Sequence, residues 1–227
     1  MLNVIEFVKV QPGKLRDYVA AAGAEQLSLY HDLGFRLVGY WETVLAQGNW
    51  PEVVALWELD GYMEYAKASS QAFGQGALGE RYREWQAHLG GLAESSRGRV
   101  LSPSSRTPSV EKIQKSGKRA PVCLLQVSRT VPGKSPEYVE DIQKLWAPAA
   151  EKHGWWMIGA YQNHGWKNRE TFDIWGTESW STVPPAAIYS ELQTMGADAH
   201  IWSEVALALR DDWESRLMVA LPFSTVS

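Results

Sequence analysis

Hydrophobic and polar residues alternate in short segments at corresponding places in the two halves of the chain. Val4–Val8 (VIEFV) has the two-residue period of a strand, and Leu124–Ser128 (LLQVS) repeats it. A Pro-Gly pair follows each segment, at 12–13 and at 132–133. Because Pro and Gly favour the backbone angles of tight turns, a turn is predicted after each strand.

Beyond each turn, apolar residues recur every three or four positions, which predicts an amphipathic helix. They are Leu15, Tyr18, Val19, Ala22, Leu29 and Tyr30 in the first half, and Tyr138, Ile142, Leu145, Trp146 and Ala149 in the second. Gly34 and Gly154 are placed to end these helices. Two further strands, a Trp-bearing helical region and a last short strand follow in each half. The order βαββαβ predicts an α+β fold with a ferredoxin-like unit in each half.

The two halves are copies of one pattern. Pro12 and Tyr18 meet Pro132 and Tyr138 at an offset of 120, and Trp57 meets Trp175 at an offset of 118. The order of matches is kept along the chain, which indicates a tandem repeat. Residues 102–120 lie between the copies and are rich in Ser, Pro and Lys, as linkers are. The predicted domains are therefore 1–101 and 121–227.

Composition narrows the function classes. A net charge of −4 over 227 residues, with no basic patch among aromatic residues, argues against a nucleic-acid partner. The single Cys123 suits a reducing compartment, the charged N-terminus does not read as a signal peptide, and no apolar run reaches membrane-spanning length. A cytoplasmic protein without a membrane partner is expected. The 12 tryptophans and nine tyrosines predict an aromatic core or an aromatic-lined pocket.

Three motifs carry a resemblance to a known family. They are the Pro-Gly-Lys turn at 12–14, GFRLVGYW at 34–41 and EVVALW at 52–57. Together they resemble NIPSNAP-domain proteins of the dimeric α/β-barrel superfamily. The second half keeps the turn, Gly154, Gly159 and Trp175 but has Tyr161 in place of Trp41 and Phe172-Asp173 in place of Val54-Ala55. The resemblance covers both halves and omits only the predicted linker.

The resemblance implies an architecture rather than a reaction. In that superfamily two ferredoxin-like sheets pair face to face, so a tandem chain would form an intramolecular dimeric α/β barrel, and a homodimer of the whole chain is compatible with it. Related barrels include cofactor-free monooxygenases, isomerases, cyclases, haem-dependent enzymes and proteins with no known reaction. Because one fold hosts many functions, the site must decide between them.

Strand alternation predicts two cavities. Ile5 and Phe7 are expected to face the helices, which would direct the other side chains of these strands into the barrel lumen. The residues expected in the lumen are Glu6, Gln126, Asp173, Trp57, Trp175, Arg36, Tyr40 and Trp156. A second cavity beneath the helices is the one that the resemblance favours, and Tyr138, Trp146, Trp155 and Tyr161 are expected there as substrate-binding residues. A register shift of one residue would exchange the two faces.

Four residues are candidate acid/base groups. His153 lies four residues after Ala149 on the inward helical stripe, where the first copy has Leu33, and imidazole titrates near neutrality. Asp173 lies in mid-strand between apolar residues, where a carboxylate is costly unless it is paired or functional. His31 and Glu6 are the other two. A surface His at a helix end and an Asp173–Arg36 ion pair are the structural alternatives.

The remaining features of the sequence give weaker evidence about function. His88, His164 and His200 have no clear partners in the pattern. Gly39 and Gly159, in mid-strand, leave room above the sheet for a ligand or a closely packed helix.

The sequence lacks the motifs of common cofactor and metal sites. It has no GxGxxG after a strand, no P-loop, no GxSxG and no zinc-like spacing of His and Cys. The sequence therefore favours an enzyme without cofactor or metal that uses acid/base chemistry on a hydrophobic, aromatic small molecule, as an isomerase, lyase, cyclase or substrate-assisted monooxygenase. Two alternatives stay open: a non-catalytic NIPSNAP-type binding module, and a haem protein with His153 or His31 as axial ligand.

Overall fold

A computed structural model describes residues 1–44, 49–165, 168–182 and 197–227. The chain divides into two compact units: Met1–Val100 together with Ala220–Ser227, and Leu101–Val219. Both units combine helices with antiparallel strands, so the predicted α+β class is confirmed. No helix in the described ranges is long and apolar enough to cross a membrane.

The first unit contains an antiparallel sheet covered by helices on one face. Its elements are β1 (Leu2–Val10), α1 (Leu15–Ala21), a π-helical turn (Ala22–Gln26), α2 (Leu27–Asp32), β2 (Arg36–Thr43), β3 (Glu52–Leu59), α3 (Tyr62–Ala72), α4 (Ala77–Leu92) and β4 (Ala93–Pro103). Strand β3 pairs with β1 on one side and with β2 on the other, and β4 lies next to β1.

The second unit has the same order of strands, with an additional helix, α5, before its first strand. It contains α5 (Val110–Ser116), β5 (Val122–Thr130), α6 (Ser135–Asp141), a π-helical turn (Ile142–Trp146), α7 (Ala147–Lys152), β6 (Trp156–Asn163), β7 (Glu170–Thr177), a 3-10 turn (Trp180–Thr182), α8 (Ala197–Leu209) and β8 (Arg210–Ala220). Strand β7 lies between β5 and β6, and β8 pairs with β5. The strand order β8-β5-β7-β6 matches β4-β1-β3-β2.

The predicted turns are present at the predicted positions. Gly13 and Gly133 have φ angles of 81° and 79°, and Gly34 and Gly154, just after the helical segments, have φ angles of 91° and 79°. Glycine tolerates this left-handed region at little cost because it lacks a Cβ atom. The repeated Pro-Gly-Lys phrase is thus a turn that both copies require.

The predicted linker is folded, which corrects the domain boundaries. Leu101–Pro103, the end of β4, belongs to the second unit and pairs there with β6. In α5, Val110 and Ile113 are buried, and the side chain of Ser109 caps the helix by accepting a hydrogen bond from the backbone of Lys112. The last residues, from Ala220, belong to the first unit and not to the second. Composition alone missed this because a polar segment with few apolar anchors can still pack through those anchors.

The predicted assignment of strand faces is wrong, because the face expected to line the barrel lumen meets the helices. Val4 and Val8 of β1 pack with residues of α1, α2 and α4, and Glu6 between them hydrogen-bonds to Gln26 and Tyr30. Ile5 lies on the opposite face and is also buried. Since both faces of the strands are covered, apolar residues do not mark the helix side, and the alternation fixes two faces without saying which one meets the helices.

Gly39 and Gly159 make room for a neighbouring side chain of the same strand. A Cβ atom at Gly39 would lie 2.1 Å from the ring of Trp41, and one at Gly159 would lie 2.1 Å from the hydroxyl of Tyr161. Each glycine follows a bulge in its strand. The side chains of Trp41 and Tyr161 fill the space above these glycines, so neither the predicted ligand nor the predicted helix is needed to account for it. Tyr161 lies on the face opposite Ala160, away from the helices, which corrects its predicted place in the pocket.

Gly39→Ala is expected to lower the free energy of unfolding by about 1–3 kcal/mol, because the buried Trp41 ring has to shift. Gly98→Ala is the matched control, since Gly98 also lies in a strand and its added Cβ would lie 3.8 Å from the carbonyl oxygen of Ile5, an ordinary contact. Urea denaturation measures both variants. Equal stability of the two variants would contradict the packing described here.

Candidate active site beneath the helices of the first unit

Three neighbouring strands place Glu6 at the centre of the helix-facing side of the first sheet. Glu6 is opposite Ala55 of β3, and Ala55 is opposite Tyr40 of β2. The small side chain of Ala55 leaves the space between Glu6 and Tyr40 open to the helices. The π-helical turn, which ends at Gln26, and α2, which carries Tyr30, lie over this row. Such turns are frequent at functional sites.

The carboxylate of Glu6 accepts three hydrogen bonds from neutral donors. The hydroxyl of Tyr30 donates to Oε1 at 2.8 Å, and Nε2 of Gln26 and the indole Nε1 of Trp57 donate to Oε2, both at 3.1 Å. No Lys, Arg or His of the described chain forms an ion pair with it. The carboxylate is therefore oriented by dipoles and carries its charge without a cationic partner.

The hydrogen-bond network continues away from Glu6. The hydroxyl of Tyr40 donates to Oε1 of Gln26 at 2.7 Å, so Tyr18, 2.7 Å from Tyr40, must supply the proton of the bond between the two hydroxyls. Tyr18, Gln26 and Tyr40 are all buried. The network fixes the orientation of the Gln26 amide and, through it, one side of the carboxylate.

Burial raises the proton affinity of the Glu6 carboxylate. Loss of solvation raises the pKa of Glu6 above its ordinary value, while the hydrogen bonds from Tyr30, Trp57 and Gln26 act in the opposite direction. Burial and the nearby charge of Glu6 raise the pKa of Tyr30, so that hydroxyl stays protonated and donates. The arrangement gives a carboxylate that is a stronger base than an exposed Glu.

A cavity of about 240 Å³ opens onto Glu6 between the sheet and the helices. Its walls are apolar and aromatic, with Glu6, the Tyr hydroxyls, Ser69 and Arg99 as polar groups; the lining residues are Val4, Glu6, Tyr30, Leu33, Phe35, Tyr65, Ala68, Ser69, Ala72, Phe73, Tyr82, Gly98, Arg99 and Val100. The small side chains of Ala68 and Ala72 on α3 leave this space. Glu6 remains partly accessible through it. A small apolar molecule with one reactive proton would fit such a site.

The second unit carries its buried carboxylate on a different strand. The row Gln126–Asp173–Ala160 occupies the positions of Glu6–Ala55–Tyr40 in the same register. The indole Nε1 of Trp175 donates to Oδ2 of Asp173 at 2.6 Å, as Trp57 does to Glu6. The tryptophan that both copies share thus holds one carboxylate in each unit. Trp57 and Trp175 are buried supports of these carboxylates, which revises their predicted role as substrate-binding residues.

Asp173 has fewer partners than Glu6. Oδ1 has no hydrogen-bond partner among the described residues, and Asp173 is 1% exposed. Gln26 and Tyr30, which donate to Glu6, correspond to Trp146 and Ala150 at the offset of 120, so those donors are absent. Burial raises the pKa of Asp173 to about 7, with the bond from Trp175 and the charge of Arg210 acting against it. The prediction of a costly mid-strand carboxylate is correct, but the lumen placement is not.

Tyr138 and Arg210 lie near Asp173 in the second unit. Arg210 Nη1 donates to the hydroxyl of Tyr138 at 2.9 Å, and Tyr138 is 2.9 Å from Oγ of Ser128. Burial, followed by the charge of Asp173, raises the pKa of Tyr138 to about 12. Trp146 packs edge-on against Trp175, with ring centroids 6.2 Å apart. Tyr138 and Trp146 therefore lie beneath the helices as predicted.

The predicted histidine bases lie outside these clusters. His153 is exposed at the end of α7, and His31 is exposed and 3.6 Å from Asp32. His153 and its counterpart Leu33 both lie just after the end of a helix. The apolar Leu33 is buried and lines the cavity, whereas His153 is exposed, so the inward position predicted for His153 is wrong. Neither His faces the cavity at Glu6, so the donor set there does not suit a haem held by either of them.

The other predicted residues serve local packing and surface pairing. Arg36 pairs with Glu58 and Asp60, at 3.0 Å and 2.6 Å. Trp155 Nε1 donates to the carbonyl of Thr182, Trp156 Nε1 to that of Arg119, and Gln126 to Oγ of Ser215. None of these side chains reaches either carboxylate through a hydrogen bond.

The remaining histidines lie at the surface. His88 contacts Glu25, His164 contacts Ser102, and His200 lies 3.5 Å from Glu204. Within the described ranges, no group of three His, Cys, Asp or Glu is placed to hold a metal ion.

Sequence reasoning missed most of the cavity wall. Phe35, Tyr65, Phe73, Tyr82 and Arg99 line the cavity, and none of them is a candidate from the sequence. Phe35 is an ordinary apolar position of the 34–41 motif, and the other four lie outside the matched motifs. A weak signal was available on α3, where Tyr65, Ala68 and Ala72 share one helical face. Small residues on an inward face leave space beside a larger neighbour.

No family model matches the sequence, and no curated protein matches it. Among solved structures, an anthrone oxidase-like protein matches with a TM-score of 0.68 and 11% identity, covering 100% of this chain and 94% of its own. A "putative monooxygenase" from Lactobacillus acidophilus NCFM matches with a TM-score of 0.62 and 10% identity, covering 96% and 93%. These likenesses establish the fold over both units.

The predicted resemblance to NIPSNAP-domain proteins is found again among the solved structures. An uncharacterized NIPSNAP domain protein from Burkholderia xenovorans matches with 19% identity and a TM-score of 0.41, covering 48% of this chain and 100% of its own. Each such match spans about one half of the chain.

Proposed function

We propose that the first unit is the catalytic half of a cofactor-independent enzyme that removes a proton from a small aromatic substrate, with Glu6 as the base. The observation that carries this proposal is a desolvated carboxylate, without a cationic partner, at the wall of an aromatic cavity. Catalytic carboxylates are commonly tuned in this way, by burial that raises their proton affinity. The fold itself does not select the reaction.

The proton-transfer step follows from the hydrogen bonds at Glu6. An acidic C–H of the substrate loses its proton to a Glu6 oxygen, which leaves a carbanion delocalised over the aromatic system. The donors on Glu6 come from Tyr30, Trp57 and Gln26, so the carboxylate cannot swing away during the transfer. The aromatic walls exclude water and stack against the substrate ring.

We propose mono-oxygenation as the overall reaction. A delocalised carbanion can reduce O₂ directly; a methylene group and O₂ then give a ketone and one water, with the methylene carbon as the reductant. Two of the structural neighbours that cover the whole chain are named a "putative monooxygenase" and an anthrone oxidase-like protein, and these names favour this outcome over isomerisation. We also propose that the two units are tandem ferredoxin-like repeats of which one retained the open site.

The test is a panel of anthrone-type and phenolic substrates, with O₂ uptake measured by an electrode and products by mass spectrometry. We expect one O₂ consumed per ketone formed, without added metal, flavin or haem. Substrate turnover without O₂ uptake would show that the enzyme is an isomerase or lyase and not an oxygenase. Binding, detected by Trp fluorescence, without turnover of any ligand would favour the non-catalytic binding module.

Trp57→Phe is expected to move the acidic limb of the pH–rate profile to higher pH. The indole of Trp57 donates to Glu6 and lowers its pKa, so removal of this donor raises the pKa and leaves less carboxylate at a given pH. Trp85 is also buried but does not contact Glu6, so Trp85→Phe should leave the acidic limb of the pH–rate profile at the same pH. A limb that moves to lower pH would contradict the assignment of Glu6 as the base.

A further inference from the structure

The segment between the two copies forms a cleft that has no counterpart in the first unit. Residues 106–118 fold against α7 and β6 and enclose a space of about 310 Å³. Ile113, Ala147 and Met157 form its apolar part. We call it the cationic cleft, since Arg106, Lys112 and Lys118 also line it. It lies outside the catalytic cavity proposed above and shares no lining residue with it.

The cationic cleft has an excess of positive charge, because three cationic residues and one acidic residue line it. Within the part of the chain that the structure describes, Arg106, Lys112 and Lys118 form no ion pair with an acidic side chain, and Glu151 is the one acidic residue among the lining residues named for the cleft. The protein as a whole has a charge of −4, so this local excess is not an average property of its surface. Clustered cations of one sign attract an anionic ligand.

Arg106 is held in position by the π-helical turn Ile142–Trp146. Its backbone N–H donates to Oε1 of Gln143 at 3.0 Å, and its Nη1 donates to the carbonyl of Gln143 at 3.2 Å. Gln143 is buried and is further anchored by a bond from its Nε2 to the carbonyl of Val139. A guanidinium that is fixed beforehand loses less conformational freedom when an anion binds.

The ring of Trp156 lines the same cleft and is also fixed. Its Nε1 donates to the carbonyl of Arg119 at 3.2 Å, and the ammonium group of Lys118 lies 5.5 Å from its ring centroid. Trp156 is only partly buried, so part of the ring is accessible. A fixed indole beside a cation suits a flat aromatic ring that carries a negative charge.

We propose that the cationic cleft binds a planar aromatic ligand that bears a carboxylate or phosphate group. The anionic group pairs with Arg106, Lys112 and Lys118, and the ring packs against Trp156 and Met157. The site is independent of the proposed reaction at Glu6.

Isothermal titration calorimetry on the full chain tests the proposal with four probes: 1-naphthoate, 1-naphthyl phosphate, neutral 1-naphthamide and inorganic phosphate. We expect at least one naphthyl anion to bind with Kd below about 1 mM. The amide and inorganic phosphate should each bind at least about tenfold more weakly, since each lacks one of the two recognised features. The two naphthyl anions distinguish a carboxylate ligand from a phosphate ligand.

Two lysines of the same short helix provide a matched pair of variants. Lys112 lines the cleft and Lys115 does not, yet each replacement by Ala removes one positive charge from α5. Lys112→Ala should weaken binding about threefold and Lys112→Ala with Lys118→Ala about tenfold, as exposed ion pairs do. Lys115→Ala should change Kd by less than about 1.5-fold.

Several outcomes would overturn the proposal. Equal losses in Lys112→Ala and Lys115→Ala would show that only net charge matters, and tight binding of the amide would show that the anion is not recognised. Failure of both naphthyl anions to bind would reject the site outright. Loss of binding in Glu6→Gln, with full binding in Lys112→Ala, would assign the ligand to the catalytic cavity instead. Retained binding in Glu6→Gln separates this site from the proposed function.

Discussion

Replacement of Glu6 by Gln lowers kcat/KM for the best substrate by at least about 100-fold, which is the usual contribution of a general base. Gln has nearly the same shape, so the cavity keeps its size, but an amide cannot accept the substrate proton. Tyr30, Gln26 and Trp57 would still point at the side chain. Because the defect lies in the chemical step, kcat should fall while the Kd for a non-reactive analogue changes little.

Asp173→Asn is the matched control for this experiment. Each change removes one buried carboxylate that accepts a hydrogen bond from a tryptophan indole. The two tryptophans, Trp57 and Trp175, occupy corresponding positions in their units. Asp173→Asn should keep kcat/KM within about twofold, since Asp173 does not line the cavity at Glu6. Equal losses in the two variants, or full activity in Glu6→Gln, would reject Glu6 as the base.

Asp173→Asn also stabilises the protein, and more so at pH 8 than at pH 5. Burial raises the pKa of Asp173 to about 7 from the ordinary value of 3.8. This difference corresponds to at most about 4 kcal/mol of unfolding free energy, and we expect a gain of roughly 1–4 kcal/mol at pH 8. An Asn can still accept the bond from the indole of Trp175 and carries no charge to desolvate.

The sign of this pH dependence follows from proton binding. Between about pH 4 and pH 7 the folded state holds a proton on Asp173 that the unfolded chain has lost, so the unfolding free energy of the wild type falls as pH rises through this window. Above pH 7 Asp173 is charged in the folded state, near Arg210, and the full cost of burying this charge lowers the unfolding free energy of the wild type. The difference between the variant and the wild type should therefore grow from pH 5 to pH 8.

Urea denaturation at the two pH values measures this difference. Asp212→Asn, an exposed change on β8, is the control and should shift the free energy of unfolding by less than about 0.5 kcal/mol at each pH. A variant that is less stable than the wild type at pH 8 would show that the charge of Asp173 stabilises the fold, for example through Arg210. A gain that is the same at both pH values would show that titration of Asp173 is not its cause.

The repeat and its local structure could be predicted from the chain alone. The Pro-Gly turns, the glycines after the helices and the alternating strands depend on neighbours a few residues apart, so sequence spacing contains the information. The special residues also stood out, since Glu6 and Asp173 interrupt apolar strands and Trp57 and Trp175 recur at the same place. The segment 102–120 has the composition of a linker because its few buried residues, such as Ile113, are widely spaced.

The amino-acid sequence by itself determined the α+β class, predicted a βαββαβ order in each half and marked one unusual carboxylate in each. Only the tertiary structure decided that both carboxylates face the helices, because both faces of these strands are buried and apolarity cannot distinguish them. It also decided that Glu6 reaches an open cavity and His153 does not. The cavity depends on where α3 and α4 pack over the sheet, and such contacts between distant segments leave little trace in local spacing.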